Sequence, residues 1–258
     1  MRTKISLLTV AAAALVLAAC GNDTTTRAAD DGDRMTAETA VEAEEQVAAD
    51  KAVRTYFDAV ASNRASELTA AESVTEPDSP ADLYRRYLLE LNRTSSRAGT
   101  ATYADGVVTT CDPGQRDETC ATFSDIAVNE NGKIVNFVSG DAPLTERIRA
   151  NGAEAESAGV SGRISIAYRT QAEDLFLLVD VTNSSGRPLS IYSFNSAYIV
   201  DGRQLPVEGA SSSSGDIRPG AIAVLTFAVP GGSFGGELDL DGTFTDSYDS
   251  FTLRVPAP

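Results

Sequence analysis

Histidine and tryptophan are both absent from the 258 residues, and cysteine occurs only at 20, 111 and 120. Without histidine there is no Ser-His-Asp or Cys-His triad, no zinc site of the usual His-bearing kinds and no imidazole general base. An acid–base enzyme would have to run on carboxylates, Tyr, Lys or Arg. With no Trp, and no Cys beyond Cys120, the C-terminal half cannot carry the Cys-Trp-Cys core of antibody-type sandwiches. Positive charge is scarce too, and the net charge is −16. Such a chain is repelled by nucleic acid and by anionic headgroups, so nucleic acid is excluded as a partner. The extended apolar run, Ile5 to Ala18, is shorter than the ~20 residues a bilayer span needs.

That run has a different meaning. Arg2 and Lys4 precede it, and polar Gly21-Asn22-Asp23 follows it, as in a secretory signal. It ends in Leu17-Ala18-Ala19-Cys20, which resembles the bacterial lipobox. The resemblance implies a signal peptide over 1–19, cleavage after Ala19, and a diacylglycerol thioether on Cys20. A plain secretory signal fits less well, because Leu17 is poor at the third position before an A-x-A type cut. The expected location is the extracytoplasmic face of the cell membrane, with the membrane itself a partner through the lipid on Cys20. Two or three acyl chains, at ~0.8 kcal/mol per buried methylene, hold firmly. Only Lys4, Lys51 and Lys133 are lysines among 21 basic residues, and Ala is abundant, a bias of GC-rich coding such as that of actinobacteria.

With Cys20 taken by lipid, Cys111 and Cys120 remain as an even pair in an exported protein, and a disulfide between them is expected. A C-x8-C pair lacks the two further ligands that a tetrahedral zinc site needs.

Residues 20–37 have the polar composition of a tether. From Glu38 to Asn63 there is no Gly or Pro, and Val53, Tyr56, Phe57 and Val60 share a helical face. A short helix is expected over Glu67–Val74. Ser79-Pro80 opens another, buried through Leu83, Tyr87, Leu88 and Leu91. The period then changes to two over Thr100–Cys111, Thr119–Val128 and Lys133–Val138, with a turn at Asn129–Gly132. This order predicts an α+β domain over 38–150, with helices on a curved antiparallel sheet. The Val53–Ala59 helix start, the Asn131–Phe137 strand and the following Leu144–Ile148 resemble the nuclear-transport-factor-2-like cone fold. The resemblance implies a cone around an apolar pocket, used elsewhere for small ligands, isomerase or dehydratase chemistry, or protein contacts. Its catalytic members mostly use an Asp/His set that this chain lacks. Asp58, Asp105 and Asp125 are pocket candidates, weighed against plain exposed carboxylates.

Residues 151–161 are small and polar and read as a linker. From 162 to 258 the chain reads as an all-β sandwich: about seven short strands, with turn signals every 8–12 residues. Leu175–Val181 is a nearly continuous apolar strand, and Tyr168, Phe176, Tyr192, Phe194 and Tyr198 are expected in the core. The runs Leu178–Asn183, Arg187-Pro188-Leu189 and Ile217–Gly220 leading into Leu225–Pro230 resemble the immunoglobulin-like domains of secreted and lipid-anchored bacterial proteins. That family implies fold and location more than activity.

Three further clusters carry possible chemistry. Asp239, Asp241, Asp246 and Asp249 invite calcium, yet their spacing does not match an EF-hand loop, and solvated loop acids are the simpler reading. Gly231–Gly236 lacks a Walker lysine and a following helix, which argues against a phosphate site. Ser211–Ser214 reads as a mobile loop. The expectation is a non-enzymatic binding or interaction module of the cell envelope, with no metal or cofactor and a cell-envelope protein as partner. The alternative is a carrier of a small apolar ligand in the first domain's pocket.

Overall fold

Helix α1 (Gly32–Ser62) ends where Asn63 turns into the left-handed region at φ 54°. It belongs to a computed structural model that describes residues 32–91, 98–111, 120–209 and 216–258, with side chains from Gln46 onward. Cys20 and the Ser211–Ser214 run lie outside the described residues. Residues 32–37, expected as tether, are helical: Arg34, Met35, Ala37 and Glu38 are adequate helix formers, and the Gly sits at the first position. Residues 32–42 and Ala43–Pro258 fall in separate units, and every element after α1 belongs to the second.

After α1 come α2 (Ala65–Ala70), a 3-10 turn (Ala71–Val74) and α3 (Pro80–Leu91). Ser79 caps α3 as expected: its hydroxyl accepts from the Asp82 amide at 3.2 Å, a contact worth about 1 kcal/mol. Strands β1 (Thr100–Ala104), β2 (Val107–Cys111), β3 (Cys120–Val128), β4 (Ile134–Ser139) and β5 (Ala142–Pro143) form an antiparallel sheet in that order. Asp105 and Gly106, at φ 52° and 76°, make the tight β1–β2 turn. Cys111 and Cys120 face each other across β2 and β3 and are disulfide-bonded. Closing a loop of sequence separation 9 contributes roughly 2–3 kcal/mol on the chain-entropy view.

Helix α4 (Leu144–Arg147) leads to β6 (Ile148–Ala150), β7 (Ala155–Ser157) and β8 (Val160–Arg169). The stretch 151–161, expected as a linker, therefore carries β7 and the start of β8. Strands of three residues show no readable alternation; β6 and β7 are held by their register on β8. Then follow β9 (Leu175–Asn183), β10 (Leu189–Val200), β11 (Arg203–Pro206), β12 (Ile222–Val229), β13 (Glu237–Phe244) and β14 (Ser250–Pro256). They make two sheets, β12-β9-β8-β6 with β7 on β8, and β11-β10-β13-β14. The described residues are β-rich, built on three antiparallel sheets with few helices.

The sheet containing β9 is buried on both faces. Leu175, Leu177, Val179 and Val181 point between the two sandwich sheets. Phe176 and Leu178 point the other way, into a second core with α1, α3 and the five-stranded sheet. A strand covered on both sides reads as a continuous apolar run, which is why Leu175–Val181 shows little alternation. On β8, one extra residue between Ile164 and Ile166 breaks the register with β9. Ile164 consequently joins the sandwich core, while Ile166 and Tyr168 join the second. Arg147 ties the junction. It is buried, and donates from Nε to the Ser139 carbonyl at 3.0 Å and from Nη1 to the Thr170 carbonyl at 2.9 Å.

Candidate functional site

The helix-covered face of the five-stranded sheet is filled. Tyr56 and Phe57 from α1, Tyr84 and Tyr87 from α3, Phe123 and Phe137 from β3 and β4, and Tyr168 from β8 are all buried. Their rings form a chain of contacts: Phe57 to Phe123 at 5.0 Å, Phe123 to Phe137 at 5.5 Å, Phe137 to Tyr84 at 5.7 Å, and Tyr84 to Tyr168 at 5.2 Å. Such ring pairs add about 0.5–1.5 kcal/mol each beyond the area they bury.

An open groove of about 830 Å³ lies at the margin of this core, between α1, the β1–β2 turn and β3. Val53, Val107, Val108, Ile126 and Val128 give it an apolar floor. Exposed Asp50, Asp105 and Asp125 stand on its rim. Each position has a local cause. Asp50 lies one helical turn before Val53 and Arg54. Asp105 is held out by the tight turn. Asp125 sits at φ 48° where β3 spends one residue more than β4 between Ser124 and Ala127, a bulge that swings the strand outward.

Arg54, the cation of this lining, lies over the Tyr103 ring at 4.6 Å. The Tyr103 hydroxyl donates to Asp58 at 2.7 Å. Burial, and then the bond to Asp58, push the Tyr103 pKa well above that of a free tyrosine, so it stays a neutral donor. Of the three sequence candidates, Asp105 and Asp125 thus come to one groove, and Asp58 touches it through Tyr103. Asp50 and Arg54 were not singled out by sequence, although their i, i+4 spacing on α1 could have placed them together. The groove offers carboxylates for cation contacts beside aliphatic surface.

A second pocket of about 380 Å³ lies where α3 meets the outer face of β8, β9 and β12. Its polar groups already bind one another. Arg85, buried, donates to Asp82 at 2.7 Å and to the Leu68 carbonyl at 3.2 Å, while Asp180 accepts from Ser165 at 3.1 Å. This is a structural network.

The C-terminal acids are bonded within the chain itself, and Asp239 and Asp241 lie on strand β13, not in loops as expected. Asp246 and Asp249 both accept from Arg187, at 2.7 and 3.2 Å; the Arg187 bond holds the Asp246 carboxyl below its ordinary pKa, and the Ser247 bond, then that from Arg187, holds the Asp249 carboxyl below its own. Asp239 lies 3.2 Å from Arg254, and Asp241 accepts from Thr252 at 2.8 Å. Among the described residues no group of three or more Asp, Glu, Cys or His could hold a metal ion. The glycine run 231–236 wraps a tyrosine: the Tyr198 hydroxyl donates to the Ser233 carbonyl and accepts from the Gly236 amide. A Cβ on Gly236 would lie 2.6 Å from the Tyr198 ring, so glycine is required there by close approach.

Of the aromatics expected in the core, Tyr168 and Tyr198 are buried and Phe176 half-buried. Tyr192 is only partly covered, and Phe194 is 77% exposed, which corrects the expectation for that residue. The cause is extra chain in β10, which carries the ring out of the sheet. No described helix is long and apolar enough to cross a membrane.

No family model matches the chain, and no curated protein matches it. Among solved structures, a functionally unknown protein from Listeria monocytogenes EGD-e is similar at 13% identity and a TM-score of 0.23, over 64% of this chain and 83% of that one. A likeness at that level carries no argument about fold or function.

Proposed function

We propose that this protein is a lipid-anchored, extracytoplasmic interaction module of the bacterial cell envelope, held through Cys20 and acting by binding rather than catalysis. In this reading the first half is a nuclear-transport-factor-2-like cone and the second an immunoglobulin-like sandwich, sharing one sheet. The lipobox-like Leu17–Cys20 supports the anchor. The helices on a five-stranded antiparallel sheet, and the two facing sheets after it, support the pairing of folds. The observation that carries the functional reading is the aromatic filling of the space between the helices and the five-stranded sheet, with an open groove at its margin. That weighs against a small apolar ligand as cargo. An acidic rim over an aliphatic floor is complementary to an extended segment of a partner protein that alternates basic and apolar side chains.

Two measurements test the parts separately. Metabolic labelling with a palmitate analogue should mark the wild-type chain and not Cys20→Ala; equal labelling would refute the anchor. For the groove, a fluorescent Lys-Val-Lys-Val-Lys peptide should bind the detergent-solubilised full-length protein in low salt. A Glu-Val-Glu-Val-Glu peptide should not. The double variant Asp105→Lys, Asp125→Lys should weaken the first by at least about tenfold, or ~1.4 kcal/mol. Equal binding of both peptides, or none of either, would remove the groove from the proposal.

A further inference from the structure

The groove between α1, the β1–β2 turn and β3 has three carboxylates in its lining, Asp50, Asp105 and Asp125, and among the described residues a single cation, Arg54. Arg54 stands among acids and joins none of them. On α1 it has Asp50 one turn before it and Asp58 one turn after it, the spacing at which a helix forms ion pairs. Both acids are engaged elsewhere. Asp50 accepts from the Gln46 side chain at 2.9 Å, and Asp58 accepts from the Tyr103 hydroxyl at 2.7 Å. Arg54 is exposed and has no ion-pair partner among the described residues.

Its guanidinium is nevertheless held in place. It lies over the Tyr103 ring, 4.6 Å from the centroid. The ring is fixed in turn: its hydroxyl donates to Asp58 and lies 3.2 Å from the Arg54 carbonyl, which ties β1 to α1. A guanidinium resting on a ring keeps N–H groups free for a bidentate acceptor.

Resting on the reading of the groove as the seat of a basic and apolar segment, we propose that this segment is the C-terminal end of the partner chain. Its terminal carboxylate sits on Arg54, its basic side chains over Asp105 and Asp125, and its apolar ones on the aliphatic floor. Three features choose this occupant. The guanidinium fork matches a carboxylate with two parallel hydrogen bonds. An anion of one charge is tolerated where three carboxylates stand near, whereas a phosphate group, with about two charges, is repelled by them. A segment that alternates basic and apolar side chains has no position for an internal acid, but a chain end supplies a carboxylate without displacing either kind.

The test uses the detergent-solubilised full-length protein in low salt and N-terminally labelled Lys-Val-Lys-Val-Lys, with a free C-terminal carboxylate or as its amide. The amide carries one positive charge more, so a groove acting by acidity alone binds it more tightly. A carboxylate site at Arg54 gives the reverse, with the free acid tighter by at least about fivefold. Arg54→Gln should abolish that preference, with the amide bound at least as well as before and the melting temperature unchanged. A preference that survives this substitution overturns the proposal. A third peptide, the amide of Lys-Val-Glu-Val-Lys, should bind more weakly than the amide of Lys-Val-Lys-Val-Lys; tighter binding would place the carboxylate on an internal side chain and overturn the chain end. If the amide binds as well as the acid, and Asp105→Lys with Asp125→Lys weakens both, the acidic groove stands and the carboxylate site falls. If neither peptide binds, both fall.

Discussion

Under the five-stranded sheet seven of the nineteen buried core side chains are rings: Tyr56, Phe57, Tyr84, Tyr87, Phe123, Phe137 and Tyr168. Between the two sandwich sheets they are mostly branched aliphatics, among them Leu175, Leu177, Val179, Val181, Leu225, Val229, Leu238, Leu240, Leu253 and Val255. The difference follows from how each core is assembled. Two facing sheets sit about 10 Å apart, a gap that interdigitated Leu, Val and Ile fill from alternate positions of each strand. Helices laid across a sheet leave a less regular space, and rings with adjustable edge-to-face contacts fill it. The aromatic core also draws Ile166, Tyr168 and Leu178 from the sandwich's own sheet. The first half therefore closes its core only on the second. The sandwich core is complete within β7–β14 and the turns between them.

That comparison is most directly broken by paired truncations. Phe57→Ala in the aromatic core should cost about 3–5 kcal/mol, and Leu177→Ala in the aliphatic core about 2–5 kcal/mol. Because one sheet serves both, each should shift a single shared transition, followed in denaturant by tyrosine fluorescence and by far-ultraviolet circular dichroism. Two separate transitions, only one of which moves, would mean the halves fold independently. Next in size, Arg147→Met removes the donors to the Ser139 and Thr170 carbonyls. It should destabilise by roughly 2–4 kcal/mol, since buried acceptors lose their partners. A change below about 0.5 kcal/mol would show that water replaces the guanidinium there.

The smallest effect at neutral pH is the most specific to the aromatic side. Burial pushes Tyr56, Tyr84, Tyr87 and Tyr168 above the ordinary tyrosine value of 10.0. A raised folded pKa means that the neutral phenol is favoured in the fold. The contribution is fully present below pH 10 and is lost as pH rises from there towards the folded values. The phenolate absorbance of these residues should appear together with unfolding. A smooth titration centred near pH 10 in the folded protein would show the rings to be accessible.

Much of the local structure was legible in the residues. Ser79-Pro80 marks the start of α3 because a hydroxyl cap and a proline at the first helical position act within one turn. Asn129–Gly132 reads as a turn, and the Asn129 side chain does accept from the amides of Asn131 and Lys133. Cys111 and Cys120 were pairable on redox grounds, and the facing ends of β2 and β3 bring them together. Of the groove, Asp105 and Asp125 were nameable as acids, but their convergence with Asp50 was not. It needs the β3 bulge and the placement of α1 over the sheet, neither of which leaves a periodic trace.

The sequence by itself determined the chemistry that is missing, the positions of turns and caps, and the period of each element. These depend on residues only a few positions apart. Tertiary structure decided which face of each strand meets which core. Ile164 and Ile166 are two apart and would share a face in a regular strand, yet one extra residue on β8 sends them to opposite sides. The same kind of insertion in β10 turns Phe194 from an expected core ring into an exposed one. Alternation says that two faces exist; only the layer packed against each face, and the register that aims the side chains, says what each one buries.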